Sequence, residues 1–299
     1  MQMISRKRGN NDSASLWICP ECRQSLSAAT NKYYCAQCEF TVTNLSGIWS
    51  SDQSFVPDGF SHASRVHLHE LENHHFWFKP RSRLFQHILL RCVPTRFQAS
   101  IELGCGNGLF LEFLARISDR VVGVEGHLPS LAFARKLSTT ATLLHGDLSR
   151  VPIQNGMFDL ACAFDVLEHV PPNPFLLEIR RLLRPDGLLL LSVPAFQSLW
   201  SRVDERAGHR CRYHVAQVEA ELQTAGFQVV SYTHYQFLLF PLVWLSRRLG
   251  SKQGRSHMEA MPSLLISRFL GAVNSFEVAM FSKVSLPFGS SLVLLAKAS

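Results

Sequence analysis

The sequence has few charged residues, no long apolar run and no export signal. Asp, Glu, Lys and Arg make up 18% of the 299 residues, against about 25% in an average soluble protein. No uncharged apolar run of about 18 residues occurs, which excludes an ordinary membrane-spanning helix. No apolar segment follows the basic residues 6–8, so we expect no secretory signal. Hydrophobic residues nevertheless reach 46%, so wholesale disorder is also excluded.

The net charge is small and positive. The chain has 30 Lys and Arg residues against 23 Asp and Glu residues, which gives +7. A charge of this size assists binding to phosphates or to an anionic membrane, but it does not indicate a nucleic-acid-binding protein. Beyond residues 6–8, the sequence also lacks the basic and aromatic stripe that is typical of RNA-binding surfaces.

Half of the eight cysteines form two Cys-x-x-Cys pairs near the start of the chain. These are Cys19, Cys22, Cys35 and Cys38. Since nothing indicates export, a disulfide framework is not expected. Two such pairs, separated by a segment of hairpin length, favour tetrahedral zinc binding by four thiolates. The alternative is four free or redox-active thiols, and the remaining cysteines are interpreted as packing residues.

Composition divides the chain into five segments. We expect a flexible polar arm at 1–15, a zinc ribbon at 16–50, a linker at 51–65, lid helices at 66–98 and a main domain at 99–299. The main domain contains an apolar insertion at 236–286.

Two local features refine these segments. In the ribbon, the alternation of Phe40, Val42 and Ile48 predicts one short strand that ends near Gly47. In the lid segment, Pro80 is predicted to break the helical pattern into two pieces.

The main domain alternates apolar strands with helices. Strands that are apolar on both faces and separated by helices are typical of a buried parallel sheet, which predicts an α/β fold. The predicted strands are 99–103, 120–124, 141–145, 159–164, 188–193, 228–235 and 291–296, and the predicted helices are 108–117, 129–137, 174–183 and 215–225. A turn is predicted at 185–187.

The first of these strands leads into a glycine-rich loop that precedes a helix. Gly104, Gly106 and Gly108 allow a ligand to approach the backbone closely. The dinucleotide fingerprint G-x-G-x-x-G would need a glycine where Leu109 stands. Glu102 precedes the loop, and its charge suits a cofactor with an ammonium group and a sulfonium better than a pyrophosphate.

Two carboxylates follow the next two strands. Glu125 ends the second strand, where it can accept hydrogen bonds from both hydroxyls of a ribose. Asp147 follows the third strand, where it can accept a hydrogen bond from an adenine amine. Together with the glycine loop, these positions predict a site for an adenosyl cofactor.

With these motifs, the chain resembles a class I S-adenosylmethionine-dependent methyltransferase with an N-terminal zinc-ribbon module. The matching segments are 102–108, 122–125, 146–148, 151–160, 165–170 and 182–194. The resemblance implies a Rossmann-like, seven-stranded and mostly parallel sheet with an antiparallel final strand. It also implies that Gly104 and Gly106 line the methionine part of the cofactor, Glu125 the ribose, Asp147 and Leu148 the adenine, and Phe164 the methionine side.

The segment His75-Phe76-Trp77-Phe78 resembles a lid found in bacterial relatives. In relatives that methylate quinones, an arginine of this segment meets the cofactor carboxylate, which implies this role for Arg81, with Arg83 nearly equal. The alternative for the aromatic residues is packing on the core.

A second flanking motif spans residues 208–213. Its place after the fifth strand predicts substrate contacts from His209, Arg210 and Tyr213 at the ligand-binding edge of the sheet. Relatives usually have arginine where Cys211 stands, so one basic contact is missing.

Asp165, Glu168 and His169 form the pattern D-x-x-E-H after the fourth strand. In quinone O-methyltransferases a similar pattern holds a divalent metal that polarises the acceptor hydroxyl. Two further interpretations stay open: His169 acts as a general base, or the residues only anchor their loop.

The sequence therefore predicts methyl transfer from S-adenosylmethionine to an oxygen or carbon nucleophile of a small lipid-, quinone- or sugar-like acceptor. The alternatives are methylation of a ribosomal RNA base and a non-catalytic scaffold that uses its ribbon to bind a partner. The apolar residues at 237–248 end in two arginines, so they favour contact with a membrane surface; a homodimer interface, the roof of a substrate pocket or core packing are alternatives. The expected location is the cytoplasm, with or without membrane association.

Overall fold

The computed structural model describes residues 16–57, 76–92, 96–138, 140–249 and 264–299. The predicted arm, the end of the predicted linker, the start of the lid segment with His75, and the middle of the insertion lie outside these described residues.

Eleven strands form one sheet within the described residues. They are Ser27–Ala29 (β1), Lys32–Tyr34 (β2), Thr41–Leu45 (β3), Ile48–Ser50 (β4), Phe97–Leu103 (β5), Ser118–Glu125 (β6), Thr142–His145 (β7), Phe158–Phe164 (β8), Leu183–Pro194 (β9), Phe227–Tyr235 (β10) and Ser291–Ala298 (β11). Their order across the sheet is β1-β2-β3-β4-β7-β6-β5-β8-β9-β11-β10.

The described α-helices pack around this sheet. They are Phe78–Leu90 (α1), Leu111–Ile117 (α2), Leu128–Leu137 (α3), Pro172–Leu182 (α4), Arg202–Ala207 (α5), Val215–Thr224 (α6), Phe240–Leu249 (α7) and Leu264–Phe281 (α8).

The seven strands β5 to β11 have the predicted mostly parallel arrangement. β7, β6, β5, β8 and β9 pair in parallel, whereas β11 is antiparallel to β9 and to β10. The chain runs from β5 outward to β7 and then returns to β8 on the other side of β5. A ligand crevice is expected outside the strand ends at such a reversal.

Helices cover both faces of these seven strands. One face packs against α4 and α6, where Phe175 and Leu222 are fully buried. The other face packs against α1, α2 and α3, where Leu89, Leu111 and Leu131 are fully buried. Full burial of such a side chain contributes about 1.5–3 kcal/mol, so the two cores fix the strand ends firmly.

The ribbon contains a hairpin where one strand was predicted. β3 and β4 pair antiparallel, with Leu45 opposite Ile48. The two residues between them, Ser46 and Gly47, have φ angles of 55° and 92°. Positive φ at both central positions is the geometry of a tight two-residue hairpin turn. The chain therefore reverses at Gly47 and continues as β4, which pairs in parallel with β7.

Two other predicted boundaries differ from the structure. Pro80 lies in the first turn of α1, where a backbone N–H has no partner within the helix, so it does not break the helix. β9 starts at Leu183, because Phe158 pairs with Leu183 and Leu160 with Leu188. The predicted turn at 185–187 is therefore a bulge within β9.

The apolar insertion is described through α7 and α8. Glu277 of α8 is buried and accepts hydrogen bonds from the backbone N–H groups of Gln236 and Leu238, each at 2.8 Å. Large apolar residues are exposed on the two helices: Leu242, Trp244, Leu245, Leu265, Ile266, Phe269, Phe276 and Met280. Among the helices that the structure describes, none has the length and apolar character needed to cross a bilayer.

Candidate active site

A cavity of about 1180 Å³ opens at the carboxyl ends of the central strands. It is lined by the residues that follow β5, β6, β7 and β8, and by residues of α1, α5 and α7. Pockets for one small molecule typically measure about 300–1,000 Å³. The cavity is therefore large enough for a nucleoside-sized ligand and a second small molecule side by side.

The glycine loop forms the floor of this cavity. Gly104 has a φ of 77°, and a Cβ atom there would lie 2.4 Å from Cγ2 of Val166. Any larger residue would therefore strain the backbone and collide with the loop after β8. Glu102 is buried at the end of β5, and Glu102, Gly104 and Gly106 all line the cavity.

The two predicted nucleoside-binding carboxylates lie at neighbouring strand ends. Glu125 accepts hydrogen bonds from the backbone N–H of Gly106 at 3.0 Å and of His127 at 2.8 Å. Asp147 accepts one from Ser149 at 2.8 Å. Each carboxylate oxygen keeps acceptor capacity beyond one such bond, so both side chains fit the hydroxyl and amine groups of an adenosine.

Aromatic rings close the cavity near the glycine loop. Phe164 stacks on Phe85 with 4.2 Å between ring centroids, and Phe110 meets Phe164 edge-on at 5.0 Å. Phe164 and Leu148 also line the cavity.

Arg81 faces the cavity from α1 and is held by two partners. Its guanidinium forms an ion pair with Asp165 and lies 3.5 Å from the ring centroid of Trp77. Asp165 has a φ of 54°, a strained conformation of the kind that clusters at functional sites. It also accepts a hydrogen bond from Ser192 at 3.2 Å, so its carboxylate is committed to Arg81 and β9.

Glu168 groups with two histidines, but not with Asp165. One ligand atom from each of Glu168, His169 and His209 lies within 4.8 Å of the others. Glu168 is fully buried, and neither carboxyl oxygen has a hydrogen-bond partner in the structure. Burial, and then the negative charge of Asp165, raises the pKa of Glu168 well above its usual range. The carboxyl group is therefore neutral or paired with a ligand of the cavity.

His209 is oriented by a buried carboxylate. Its Nδ1 atom lies 3.0 Å from Oδ1 of Asp204, which also binds Arg212 at 2.7 Å and Arg247 at 3.2 Å. Burial opposes ionisation of Asp204, but the bond from His209 and the charges of Arg212 and Arg247 outweigh it and lower its pKa to about 2. Asp204 therefore remains an anion that fixes the His209 ring.

The other two predicted substrate residues differ in position. Arg210 lines the cavity beside His209. Tyr213 is buried and does not line the cavity; its hydroxyl donates to the carbonyl of Leu167 at 3.3 Å. Sequence reasoning missed Asp204, because the polar residues 201–206 resemble a solvent-exposed helix start. Only the S-x-x-D capping pattern of Ser201 and Asp204 signals any structural role.

The four ribbon cysteines converge on one point. Their Sγ atoms all lie within 4.8 Å of one another, and those of Cys22 and Cys35 are 3.5 Å apart. Backbone N–H groups of Gln37 and Cys38 lower the pKa of Cys35 to about 7, whereas hydrogen bonding to Cys22 raises the pKa of Cys38 to about 12. Four sulfur ligands in so small a space fit tetrahedral zinc, which would hold all four as thiolates.

We expect about one zinc ion per chain, the content of a closed four-cysteine site. Replacing Cys35 with Ser should remove most of this zinc and expose the ribbon to protease, because a ribbon of this size depends on its metal. Elemental analysis and limited proteolysis measure both effects. Cys92→Ser is the control, since Cys92 is not part of the cysteine cluster and packs against the other hydrophobic core. Unchanged zinc in Cys35→Ser would contradict the assignment.

Residues 101–191 match the family model that is described as a methyltransferase domain. A Mycolicibacterium smegmatis protein named "Probable S-adenosylmethionine-dependent methyltransferase" is 28% identical over 162 residues, which are 53% of this chain and 62% of that protein. The ubiquinone biosynthesis O-methyltransferase of Roseobacter denitrificans is 31% identical over 104 residues, 33% of this chain and 42% of that protein. The chain thus spans less than two thirds of the length of these curated relatives.

Solved structures share the fold. One chain of the Haloferax volcanii complex that contains the Trm112 methyltransferase activator has a TM-score of 0.54 and 19% identity, over 79% of this chain and 95% of that chain. Such a likeness shows the Rossmann-like fold alone. The matching domain and the named relatives support the class that the motifs predicted, the class I S-adenosylmethionine-dependent methyltransferases.

Proposed function

We propose that the protein transfers a methyl group from S-adenosylmethionine to an oxygen or carbon nucleophile of a small acceptor molecule. The observation that carries this proposal is the continuity of the cavity. One end presents Gly104, Glu125 and Asp147, and the other presents His169 and His209. An adenosyl donor and an acceptor can therefore meet inside one enclosure.

The residues at the first end suit this donor, which supplies an electrophilic methyl group on a sulfonium. Glu125 and Asp147 would hold the ribose and adenine, and the buried carboxylate of Glu102 would bind the methionine ammonium. Arg81 is paired with Asp165, yet a guanidinium has further N–H donors. It can bind the cofactor carboxylate without leaving Asp165.

At the second end, His209 is placed to remove the proton of an acceptor. Nδ1–H donates to Asp204, so the tautomer carries its basic lone pair on Nε2. Nε2 of His209 would take the proton of the acceptor hydroxyl while the oxygen forms its bond to the methyl carbon. The carbon–sulfur bond of the donor would break at the same time, and the leaving group would be neutral S-adenosylhomocysteine. Holding both reactants in line accounts for most of the rate enhancement in such a displacement.

The cluster of Glu168, His169 and His209 also fits a divalent cation. Two imidazoles and one carboxylate are suitable ligands, and the buried carboxyl oxygens of Glu168 have no other partner in the described structure. Such a cation would polarise the acceptor hydroxyl and lower its pKa, so that the proton could pass to water and no basic side chain would be needed. The sequence predicted Asp165 as a metal ligand together with Glu168 and His169. His209 is the better third ligand, because Asp165 forms an ion pair with Arg81.

The walls of the second end favour an acceptor with an apolar body and an anionic group. Val170, Pro174, Val203 and Val243 supply apolar surface. Arg206, Arg210 and Arg247 supply positive charge at the same end. A lipid- or quinone-like acceptor that carries an acidic group fits this lining better than a neutral sugar, and the ubiquinone O-methyltransferases among the relatives support an oxygen nucleophile.

Replacing Glu125 with Ala should weaken binding of S-adenosylmethionine at least about tenfold. The variant loses charge-assisted hydrogen bonds, which contribute about 1.5–3 kcal/mol on removal, and about 1.4 kcal/mol corresponds to a factor of ten. Titration calorimetry measures the change. Glu112 is an exposed carboxylate on α2, so the control variant Glu112→Ala should bind S-adenosylmethionine as tightly as the wild type does. Tight NADH binding by the wild type would instead move the protein to the dehydrogenases.

A further inference from the structure

The segment that leaves the ribbon runs along the edge of the sheet toward the cofactor end of the cavity. β4 pairs in parallel with β7, so that Ser50 stands opposite His145. The next residue, Ser51, continues the pairing, because its N–H donates to the carbonyl of His145 at 3.0 Å. The ribbon therefore delivers residues 51–57 to the strand end that carries Asp147.

His145 links the ribbon to the loop after Glu125. It is buried, with 1% of its surface exposed. Its Nδ1 atom lies 3.1 Å from Oγ of Ser50, and its Nε2 atom lies 3.0 Å from the carbonyl oxygen of Gly126. One imidazole thus spans β4 of the ribbon and the residue next to the predicted ribose ligand.

Residues 51–57 pack directly on the two glycines beside the nucleoside-binding carboxylates. A Cβ atom on Gly126 would lie 2.9 Å from Cε1 of Phe55 and 3.2 Å from Cγ of Pro57. A Cβ atom on Gly146 would lie 2.1 Å from Oγ of Ser51. The two glycines make room for this segment, and Phe55 and Pro57 line the cavity together with Glu125 and Asp147.

We propose that the cysteine ribbon is a cofactor-binding element: residues 51–57 form the outer wall of the adenine subsite, Phe55 contacts the adenine ring, and the metal in the cysteine cluster holds this wall in place. This inference rests on the proposed function, because it requires the cavity to bind S-adenosylmethionine. It assigns to the ribbon a role at the cofactor, rather than recognition of a partner.

The cysteine cluster is connected to residues 51–57 through the paired strands β2, β3 and β4. Cys35 follows β2, and β2, β3 and β4 pair in sequence. Trp49 of β4 packs against Tyr33 of β2, with 5.1 Å between ring centroids. Since β4 has only three residues, its register against β7 depends on the ribbon strands behind it. Loss of the metal should therefore loosen residues 51–57.

The test measures affinity for S-adenosylhomocysteine and for adenosine by calorimetry. Phe55→Ala should weaken both by about tenfold, the effect of losing one base–aromatic contact. The equal effect on adenosine locates the lost contact at the nucleoside. Tyr34→Ala is the matched control, because Tyr34 is an exposed ribbon aromatic that does not line the cavity; its affinities should stay within twofold.

Metal dependence is tested in the same assay. Cys38 lies at the exposed edge of the cluster. Cys38→Ser should lower the zinc content and weaken the affinity for S-adenosylhomocysteine by at least about fivefold. Wild type treated with a chelator and then reloaded with zinc should lose and regain affinity, which keeps the test valid if the variant does not fold. If Glu125→Ala weakens binding but Phe55→Ala and zinc removal do not, the inference is wrong and the proposed function stands. If the wild type binds neither S-adenosylmethionine nor S-adenosylhomocysteine, the proposed function itself fails.

Discussion

Replacing His209 with Ala should lower kcat by about 10²–10⁴-fold, the contribution typical of a positioned general base. The dissociation constant for S-adenosylmethionine should stay within about twofold, because His209 lies at the acceptor end of the cavity. The measurement is release of S-adenosylhomocysteine with a hydroquinone acceptor that the wild type methylates. A large loss in kcat with unchanged cofactor affinity would assign His209 to the chemical step.

The control for this variant is His87→Ala, an exposed histidine on α1, which should turn over at the wild-type rate. Two results would change the interpretation. Turnover of His209→Ala within threefold of the wild type would remove His209 from the reaction. Loss of wild-type turnover in a chelator, restored by a divalent cation and abolished equally by His169→Ala, would favour the metal arrangement of Glu168, His169 and His209 over a base.

The cofactor end of the site could be predicted from the sequence because its residues stand at strand ends. Glu125 ends a strand that is apolar on both faces, and Gly104 and Asp147 each follow one. Parallel strands of one buried sheet bring their carboxyl ends to the same edge. A local pattern therefore determines a long-range arrangement, and the three residues line one cavity in the structure.

The acceptor end could not be predicted in the same way, because its residues stand on turns. The D-x-x-E-H pattern suggested that Asp165 acts with Glu168 and His169. The φ of 54° at Asp165 turns its carboxylate toward Arg81 on α1. His209, which lies about 40 residues further along the chain, instead completes the cluster with Glu168 and His169. No spacing rule connects His209 with these two residues.

The docking of the ribbon also lay beyond sequence reasoning. β4 is three residues long, too short for its pattern to specify a partner strand. Its pairing with β7 joins residues that are 95 positions apart, as the contact between Ser50 and His145 shows. The sequence suggested a separate ribbon and a linker, whereas β4 extends the main sheet and residues 51–57 reach the cavity.

Asp204 is the charged centre of the acceptor end, and several elements depend on it. It is fully buried on α5 and accepts bonds from the backbone N–H of Ser201, from His209, from Arg212 and from Arg247. Arg247 belongs to α7, and Arg212 in turn donates to the carbonyl of Ala195 at 3.1 Å. One carboxylate thereby joins α5, α7 and the end of β9.

Replacing Asp204 with Ala should lower the free energy of unfolding by about 3–5 kcal/mol, because removal of one partner leaves buried cations uncompensated. Urea unfolding measures the loss. The exposed Asp119, which pairs with Arg96 at 2.5 Å, provides the control, and Asp119→Ala should lower the free energy of unfolding by less than about 1 kcal/mol.

The pKa of Asp204 is lowered from 3.8 to about 2 on folding, so the stabilisation from its charge is complete above pH 4 and is lost as the pH falls toward 2. The difference between wild type and Asp204→Ala should therefore shrink as the pH falls from 4 toward 2. A difference that instead stayed constant down to pH 2 would show that the stabilisation comes from packing of α5 and not from the charge of Asp204.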